Sequence, residues 1–187
     1  SARALSFRGT TTSFVAYRKG TPIGEFGVRM PGQHNVLNCL AAIAVADELE
    51  VPLDVMKDAL ATFHGVARRF SIVAEVNGVT LVDDYGHHPA EVRATLAAAR
   101  RAYDGRVLVA FQPHRYTRTQ LCFDDFTRAF NEADVVLLTD IYAAGEQPIP
   151  GVSAETLTAS ISEHGHHAVR HVGDKHEAAR GLAREAR

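Results

Sequence analysis

Basic side chains collect in one short segment, QPHRYTRT, at residues 112 to 119. Arg115 and Arg118 are three positions apart where a helix is predicted to begin, so both guanidinium groups can turn toward one anion and bind a carboxylate bidentately. His114 can assist them. The same spacing also fits two surface arginines that form exposed salt bridges, and spacing alone leaves both interpretations open.

A second polar segment is DDYGHHP, at residues 83 to 89. It contains two carboxylates and two imidazoles: Asp83, Asp84, His87 and His88. Such a cluster could coordinate Mg²⁺ directly or through water, orient a nucleotide or hold a substrate. The same residue types also serve as turn and capping residues before a helix, so the cluster by itself is suggestive only.

A third segment, PGQHNVLN at residues 31 to 38, opens a predicted helix. Asn35 and Asn38 lie three positions apart and face the same way, next to His34. An asparagine amide can pair with the donor and acceptor edge of adenine. Alternatively, Asn35 is the N-cap of the helix and Asn38 a polar residue of its first turn.

Five histidines fall between residues 164 and 176. They straddle a predicted helix end, a turn and a strand, so they lack the helical spacing of metal ligands. We predict no metal site in this region. We expect solvated side chains for His164, His166, His167, His171 and His176.

The elements before residue 70 are predicted to be a β-hairpin and two helices. Strands at 13–17 and 23–29 flank a turn, and apolar residues then recur at helical spacing up to about residue 50. A second helix should begin at Pro52 and stop at Gly65. Its expected buried face consists of Met56, Leu60 and Phe63.

Beyond residue 70, a hairpin around Asn77-Gly78 is followed by alternating helices and strands. Helices are predicted at 89–101, 119–130, 153–163 and from 174 onward, and strands at 106–111, 134–139 and 168–172. This alternation indicates an α/β domain with a parallel sheet. Ligands bind beyond the carboxyl ends of such strands, so the segments 83–89, 112–119 and 139–148 are expected to share one rim. Asp174 is interpreted as a simple N-cap.

Composition excludes several classes of function. The 187 residues carry a formal net charge of -2, so neither nucleic acid nor an anionic membrane is an expected partner. The two cysteines, Cys39 and Cys122, are not in a CxxC spacing, which favours a reducing, cytoplasmic location. No apolar run reaches the length of a membrane span, and no signal-peptide layout is present. Both ends of the sequence are interpreted as cut.

Five motifs occur in a fixed order between residues 31 and 149: PGQHNVLNCLAAIAVA, GVARRF, VDDYGHHPAEV, FQPHRYTRT and IYAAGEQPI. Together they resemble the Mur ligase family of peptidoglycan synthesis. DDYGHHP with FQPHRYTRT is similar to the member that adds L-alanine. The sibling that recycles a preformed tripeptide usually has Phe-Ala where this sequence has Tyr85-Gly86.

The resemblance implies a domain organisation and an activity. Residues 1–67 would be the C-terminal part of the central ATPase domain, and residues 68–187 the Rossmann-like C-terminal domain that binds the amino acid. The activity would be ATP- and Mg²⁺-dependent joining of L-alanine to UDP-N-acetylmuramate through an acyl phosphate. No GxxxxGKS or GxxxxGKT pattern occurs, so the phosphate-binding loop is expected to be missing. The resemblance implies that the family's N-terminal UDP-binding domain is missing too, and we expect the fragment to be inactive alone.

The resemblance also implies roles for individual residues. Asn35 and Asn38, with His34, would contact adenine. Arg69 would reach the ATP phosphates, and Asp84 would hold the ribose or orient the domain junction.

On the amino-acid side, His87, Arg115 and Arg118 would bind the carboxylate of L-alanine, and Tyr85 would limit the pocket to a small side chain. Arg69, Asp84 and His87 are the expected catalytic residues, and no protein-bound metal is expected. Two alternatives remain open: a tripeptide-recycling ligase, and a non-catalytic module that binds a nucleotide or an amino acid.

Overall fold

The computed structural model describes residues 1–186, which divide into two compact units. The first unit contains Ser1–Tyr85 and Ala97–Asp104. The second unit contains Gly86–Leu96 and the residues from Gly105 on. No helix within residues 1 to 186 combines the length and apolar character that crossing a bilayer requires.

An antiparallel sheet and a helix pair form the core of the first unit. Strands β1 (Ala2–Arg8), β2 (Thr11–Arg18) and β3 (Thr21–Val28) pair in that order. Helices α1 (Gln33–Glu48) and α2 (Leu53–Thr62) follow. Alternate residues of β2 and β3 point inward, and the stacked rings of Phe14 and Phe26 lie 5.9 Å apart between centroids. The predicted hairpin and helix pair are confirmed, while β1 was not predicted.

The prediction that Phe63 lies on the buried face of α2 is wrong. Helix α2 ends at Thr62, the backbone becomes extended at Phe63, and 41% of Phe63 is exposed. Met56 is buried and Leu60 packs against the core, as predicted. The hydroxyl of Thr62 donates to the carbonyl of Asp58, a bond that competes with continuation of the helix.

A second antiparallel pair, β4 (Ser71–Val76) and β5 (Val79–Asp83), also belongs to the first unit. Asn77 and Gly78 both have positive φ, 51° and 80°, the backbone that a tight two-residue hairpin turn needs. This hairpin is confirmed. Because β5 pairs with β4 as a separate two-stranded sheet, Asp83 and Asp84 do not follow a strand of the parallel sheet. The prediction that three strand ends share one rim is therefore wrong for Asp83 and Asp84, although His87 of the same segment does lie near His114.

The second unit contains a three-stranded parallel sheet in the order β6-β7-β8, which confirms the α/β fold class. Its strands are β6 (Leu108–Phe111), β7 (Val135–Thr139) and β8 (Val169–Gly173). All five residues of β7 are buried, as expected for a central parallel strand.

The helices of the parallel-sheet region begin with capping residues that the sequence supplies. Helix α3 (Pro89–Ala102) opens with proline, and α6 (Ala154–Glu163) and α7 (Lys175–Glu185) follow β7 and β8. Ser153 and Thr156 form a capping box at α6, and Asp174 accepts two backbone N–H bonds at α7. The N-cap prediction for Asp174 is confirmed.

The single helix predicted at 119–130 is wrong. Two short helices occupy this region, α4 (Tyr116–Leu121) and α5 (Phe123–Phe126). Cys122, with φ -107° and ψ 17°, ends one and begins the other. The break places both Phe126 and Phe130 in the core, where the ring centroids of Phe111 and Phe130 are 5.2 Å apart.

Candidate functional site

The loop after β6 is held in a strained conformation. Arg115 has φ 73°, a left-handed backbone that is unfavourable for a side chain of this size. Its backbone N–H donates to the carbonyl of Tyr142 at 2.8 Å, and the N–H of Tyr142 donates to the carbonyl of Pro113 at 2.8 Å. These bonds form a parallel bridge between His114 and Tyr142. The segment after β7 therefore fixes the loop that carries the arginines.

Arg118 is anchored by neutral acceptors. One of its guanidinium nitrogens lies 3.1 Å from Nδ1 of His114 and 3.2 Å from the carbonyl oxygen of the same residue. Since a guanidinium only donates, Nδ1 of His114 must be an unprotonated acceptor. Burial lowers the pKa of His114, and the positive charges of Arg118 and Arg115 lower it further. His114 is thus neutral and orients Arg118.

His87 lies on the same unit and close to this group. The ring centroids of His87 and His114 are 6.4 Å apart, and the two rings are mutually tilted. Nδ1 of His87 is 3.6 Å from a carboxylate oxygen of Glu91, which also accepts the backbone N–H groups of His87 and His88. The capping interactions at the start of α3 thereby hold His87 at this position.

Glu146 approaches the same loop from the segment after β7. Its carboxylate accepts from the backbone N–H of Thr117 at 3.0 Å and from the hydroxyl of Thr117 at 2.7 Å. It lies 3.9 Å from a guanidinium nitrogen of Arg115. The name "arginine cluster" is used here for His87, His114, Arg115, Arg118 and Glu146.

The arginine cluster has an excess of positive charge. Among residues 1 to 186, no carboxylate lies within ion-pair distance of Arg118, whose bonds go to a ring nitrogen and a carbonyl. A guanidinium that is oriented but not neutralised suits a carboxylate ligand. The structure thus brings His87, Arg115 and Arg118 together around His114.

A second cluster lies in the first unit around His34. Burial lowers the pKa of His34, while the opposing charges of Asp84 and Arg69 act on it in opposite directions. A Cβ atom on Gly32 would lie 2.7 Å from Cε1 of His34, and Gly32 has φ 97°, so only glycine fits beside this ring. The cluster formed by His34, Asn35, Asn38, Arg69 and Asp84 is called the "amide cluster" below.

The two asparagines occupy the first turns of α1. The N-cap of α1 is Gly32, so the alternative in which Asn35 is the N-cap is wrong. The amide of Asn35 donates to the carbonyl of Pro31 at 2.8 Å, and the amide of Asn38 points at Oδ1 of Asn35 at 3.4 Å. Asn38 is exposed.

The acidic pair at the end of β5 has local partners. Asp84 accepts the backbone N–H of Phe70 at 2.8 Å, and Asp83 forms an ion pair with Arg68 at 3.3 Å. Tyr85 belongs to the first unit, where the guanidinium of Arg68 lies 4.8 Å above its ring and that of Arg69 lies 5.9 Å away. These contacts join the residues at the end of β5 to residues 68–70, which precede β4.

The histidines after α6 differ from one another. His164, His167 and His176 are exposed as predicted, whereas His166 and His171 are half-buried, which corrects the prediction for these two. Nε2 of His166 lies 2.9 Å from the carbonyl of Ala133. His166 and His171 are partly buried because one precedes strand β8 and the other lies within it.

His171 lies between two carboxylates. Its Nε2 is 2.7 Å from Asp140 and its Nδ1 is 3.5 Å from Glu155. Of the residues the structure describes, only these three form a group close enough to share a metal ion. Both carboxylates are exposed, however, and exposed acidic groups commonly lie together without an ion. We assign this group no metal.

Sequence reasoning did not single out Glu146, and it gave His114 only an assisting role. Both lie in segments that the polar strand ends had marked, 112–119 and 139–148. The pairing of Glu146 with Thr117 spans 29 positions, and no local pattern encodes it.

Comparisons with known proteins show the family to which the chain belongs. Residues 68–187 match the family described as "Mur ligase, glutamate ligase domain". The chain is 67% identical over 190 residues to a UDP-N-acetylmuramate–L-alanine ligase of Sorangium cellulosum, covering 100% of this chain and 40% of the relative. It is 53% identical over 176 residues to the enzyme of the same name in Geotalea daltonii, covering 94% of this chain and 38% of that protein.

A solved structure is also similar. The crystal structure of the UDP-N-acetylmuramate–alanine ligase of Thermotoga maritima superposes with a TM-score of 0.77 at 30% identity. The match covers 92% of this chain and 37% of that one. The chain therefore spans about 40% of the length of the curated relatives it matches.

Proposed function

Because this chain belongs to the Mur ligase family, we propose that it is part of an ATP-dependent ligase that joins L-alanine to UDP-N-acetylmuramate in peptidoglycan precursor synthesis. In that reaction the muramyl carboxylate is phosphorylated by ATP, and the amine of L-alanine then displaces phosphate from the acyl phosphate. A reaction of this kind depends mainly on positioning and charge stabilisation. Both are properties of the clusters described above.

The arginine cluster would bind the amine substrate through its carboxylate. The observation that carries this proposal is the oriented, un-neutralised guanidinium of Arg118, beside Arg115 on the same loop. A carboxylate placed there would receive charge-assisted hydrogen bonds, each worth about 1.5 to 3 kcal/mol. His87 would contribute a further donor. Tyr85 would limit the side chain of the amino acid, as the family resemblance implies.

The amide cluster would bind the nucleotide. Asn38 presents an exposed amide, and an amide can satisfy both the donor and the acceptor on one edge of adenine. Arg69 would contact the phosphates and Asp84 would orient the ribose. A shallow cavity of about 250 Å³ in the first unit is bordered by Arg69 together with Arg29 and His64, which supports an anion-binding role for this region.

Mg²⁺ would accompany ATP, neutralising charge on its phosphates. Asp84 already accepts a backbone N–H, and Asp83 is paired with Arg68, so the carboxylates of this segment fit poorly as direct metal ligands. We propose that the metal is held mainly by the phosphates and by parts of the enzyme outside this chain.

The boundary of the two family domains is proposed to lie at residues 67 and 68, where the family match begins. Residues 1–67 would complete the ATPase domain, and the cytoplasm, where the nucleotide substrates reside, is the proposed location. Since the sequence contains no GxxxxGKS or GxxxxGKT pattern, we propose that the 187-residue chain alone does not ligate.

The decisive experiment measures phosphate release by the complete ligase with UDP-N-acetylmuramate, ATP and one amine substrate at a time. L-alanine should exceed the preformed tripeptide in kcat/KM by about 100-fold or more, because the pocket would be sized for a small zwitterion. The 187-residue chain, assayed in parallel, should release no phosphate. Preference for the tripeptide would indicate that the complete enzyme is the tripeptide-recycling ligase instead. Turnover by the chain alone would refute the proposed incompleteness.

A further inference from the structure

The start of helix α4 receives its cap from a distant part of the chain. Residue Arg115 occupies the N-cap position but makes no side-chain capping bond. The first backbone N–H groups of a helix have no partner within the helix and need one elsewhere. The carboxylate of Glu146 supplies it, accepting from the backbone N–H of Thr117 at 3.0 Å. A negative charge also interacts favourably with this end of a helix.

Glu146 is restrained by more than this one bond. Its second oxygen accepts from the hydroxyl of Thr117 at 2.7 Å, and its side chain is 20% exposed. The hydrogen bonds from Thr117 hold the pKa of Glu146 below its ordinary value, so the group is a carboxylate at neutral pH. The two bonds tie Glu146 to a single residue of α4, which lies between Arg115 and Arg118 in the sequence.

Contact with the substrate's carboxylate is an unsuitable role for Glu146. A carboxylate repels another carboxylate, and its distance of 3.9 Å to Arg115 is at the outer limit of an ion pair. Its short bonds go instead to Thr117. Glu146 therefore acts on the geometry of the loop more than on its charge.

The loop needs such a restraint because Arg115 is strained. Its left-handed backbone, φ 73°, is retained only while neighbouring contacts over-determine it. Two contacts come from the segment that follows β7: the carbonyl of Tyr142, which accepts from Arg115, and the carboxylate of Glu146. Between them they fix the residues on either side of Tyr116.

We propose that Glu146 is a positioning residue for the amine substrate, locking the β6–α4 loop so that Arg115 and Arg118 converge on one carboxylate. The inference rests on the proposed function, in which these arginines bind L-alanine. It assigns to the IYAAGE segment a role in substrate specificity that operates through Thr117.

The test compares variants of the complete ligase by their KM values for L-alanine and for ATP. Glu146→Ala should raise the KM for L-alanine by about 10- to 100-fold, since small misplacements of binding groups have effects of this size. The KM for ATP should change less than about twofold. Glu146→Gln, which keeps an acceptor oxygen, and Thr117→Val, which removes only the hydroxyl, should show smaller increases in the same direction.

Glu177→Ala is the matched control, because Glu177 is also an ion-paired glutamate in the second unit, bound to Arg180 on α7. It should leave both KM values unchanged. An unchanged KM for L-alanine in both Glu146→Gln and Glu146→Ala would overturn the proposal. If Glu146→Ala does not fold, the KM values of Glu146→Gln and Thr117→Val for L-alanine decide instead. A raised KM supports the proposal, and an unchanged KM in both overturns it.

A measurement without turnover separates this inference from the proposed function. In the 187-residue chain, side-chain Nε–H relaxation of Arg118 and Arg115 should report greater motion in Glu146→Ala than in the unaltered chain. Equal motion of these two arginine side chains in the two proteins would refute the positioning role, even if L-alanine is the substrate. Failure of the unaltered ligase to use L-alanine would refute the proposed function, while the relaxation data would still decide whether Glu146 orders the loop.

Discussion

The arginine cluster and the amide cluster differ in how their charges are balanced. Around His114, the guanidinium groups of Arg115 and Arg118 face the carboxylate of Glu146, which lies 3.9 Å from Arg115, while the ring of His87 lies beside the carboxylate of Glu91. Around His34, the opposite charges of Arg69 and Asp84 oppose each other, and the asparagine amides bond to Pro31 and to one another. One cluster has an excess of positive charge, and the other is close to neutral.

This difference indicates what each cluster is suited to bind. An oriented guanidinium without a carboxylate partner gains most from a small anion. A charge-balanced surface with exposed amides offers hydrogen bonds but little net field, which suits an uncharged ring such as a purine. Under the proposed function, the arginine cluster would therefore hold the amino acid and the amide cluster the nucleotide.

The largest effect is expected at Arg118. In the complete ligase, Arg118→Ala should raise the KM for L-alanine by about 10- to 150-fold, because one charge-assisted contact is lost. The KM for ATP should stay within about twofold, as measured by steady-state phosphate release. Arg184→Ala, which removes an exposed arginine from the last turn of α7, is the control. Equal increases in the KM values for L-alanine and ATP would contradict the proposal that the two clusters bind different substrates.

A smaller effect is expected at Asn38, and it should concern ATP instead of L-alanine. Asn38→Ala should raise the KM for ATP by about 2- to 10-fold, the range of one neutral hydrogen bond, and leave the KM for L-alanine unaltered. Folding should be little affected, because the amide of Asn38 makes only a long bond of 3.4 Å to Asn35. Gln33→Ala, at an exposed residue five positions earlier on the same helix, serves as the control. An increase confined to L-alanine would contradict the proposed role of the amide cluster.

The smallest effect concerns pH. The pKa of His114 is lowered in the folded chain, mainly by burial, so the unfolded chain binds a proton there more readily. Stability from this group is therefore present above the unfolded pKa, about 6.5, and declines as the pH falls below it. His114→Asn keeps an acceptor for Arg118 without titrating.

This substitution should reduce the loss of Tm between pH 7.5 and 5.5 by about 1 to 3 °C. The measurement is thermal unfolding of the 187-residue chain at both pH values. His167→Asn, at an exposed histidine outside the arginine cluster, should leave the pH dependence as it is. The same loss in His114→Asn as in the unaltered chain would show that His114 is not held neutral.

Local sequence signals were sufficient for several elements. The Asn77-Gly78 turn, the apolar run of β7 and the capping residue Asp174 each depend on near neighbours, and each was predicted. Strand β1 was missed because its residues alternate poorly between buried and exposed positions. Its pairing with β2 depends on the partner strand rather than on its own pattern.

The candidate site was predictable only in part. The positions of Arg115 and Arg118 followed from a polar segment at a strand end, a regularity of parallel sheets. The break at Cys122 was not foreseen, because the apolar residues on either side continue a helical spacing. The roles of Glu146 and His114 depend on contacts formed only when segments far apart in sequence meet.

The left-handed backbone of Arg115 bears on how this region would respond to engineering. Arg115→Gly would relieve a conformation, φ 73° with ψ 138°, that costs about 1 to 3 kcal/mol for a residue with a Cβ atom, so a screen for heat resistance would favour it. The same replacement would discard a guanidinium group that the proposed chemistry needs. Selection for thermal stability would therefore favour glycine at position 115, whereas the proposed activity needs arginine there. A stabilised variant selected without an activity assay could lose that activity.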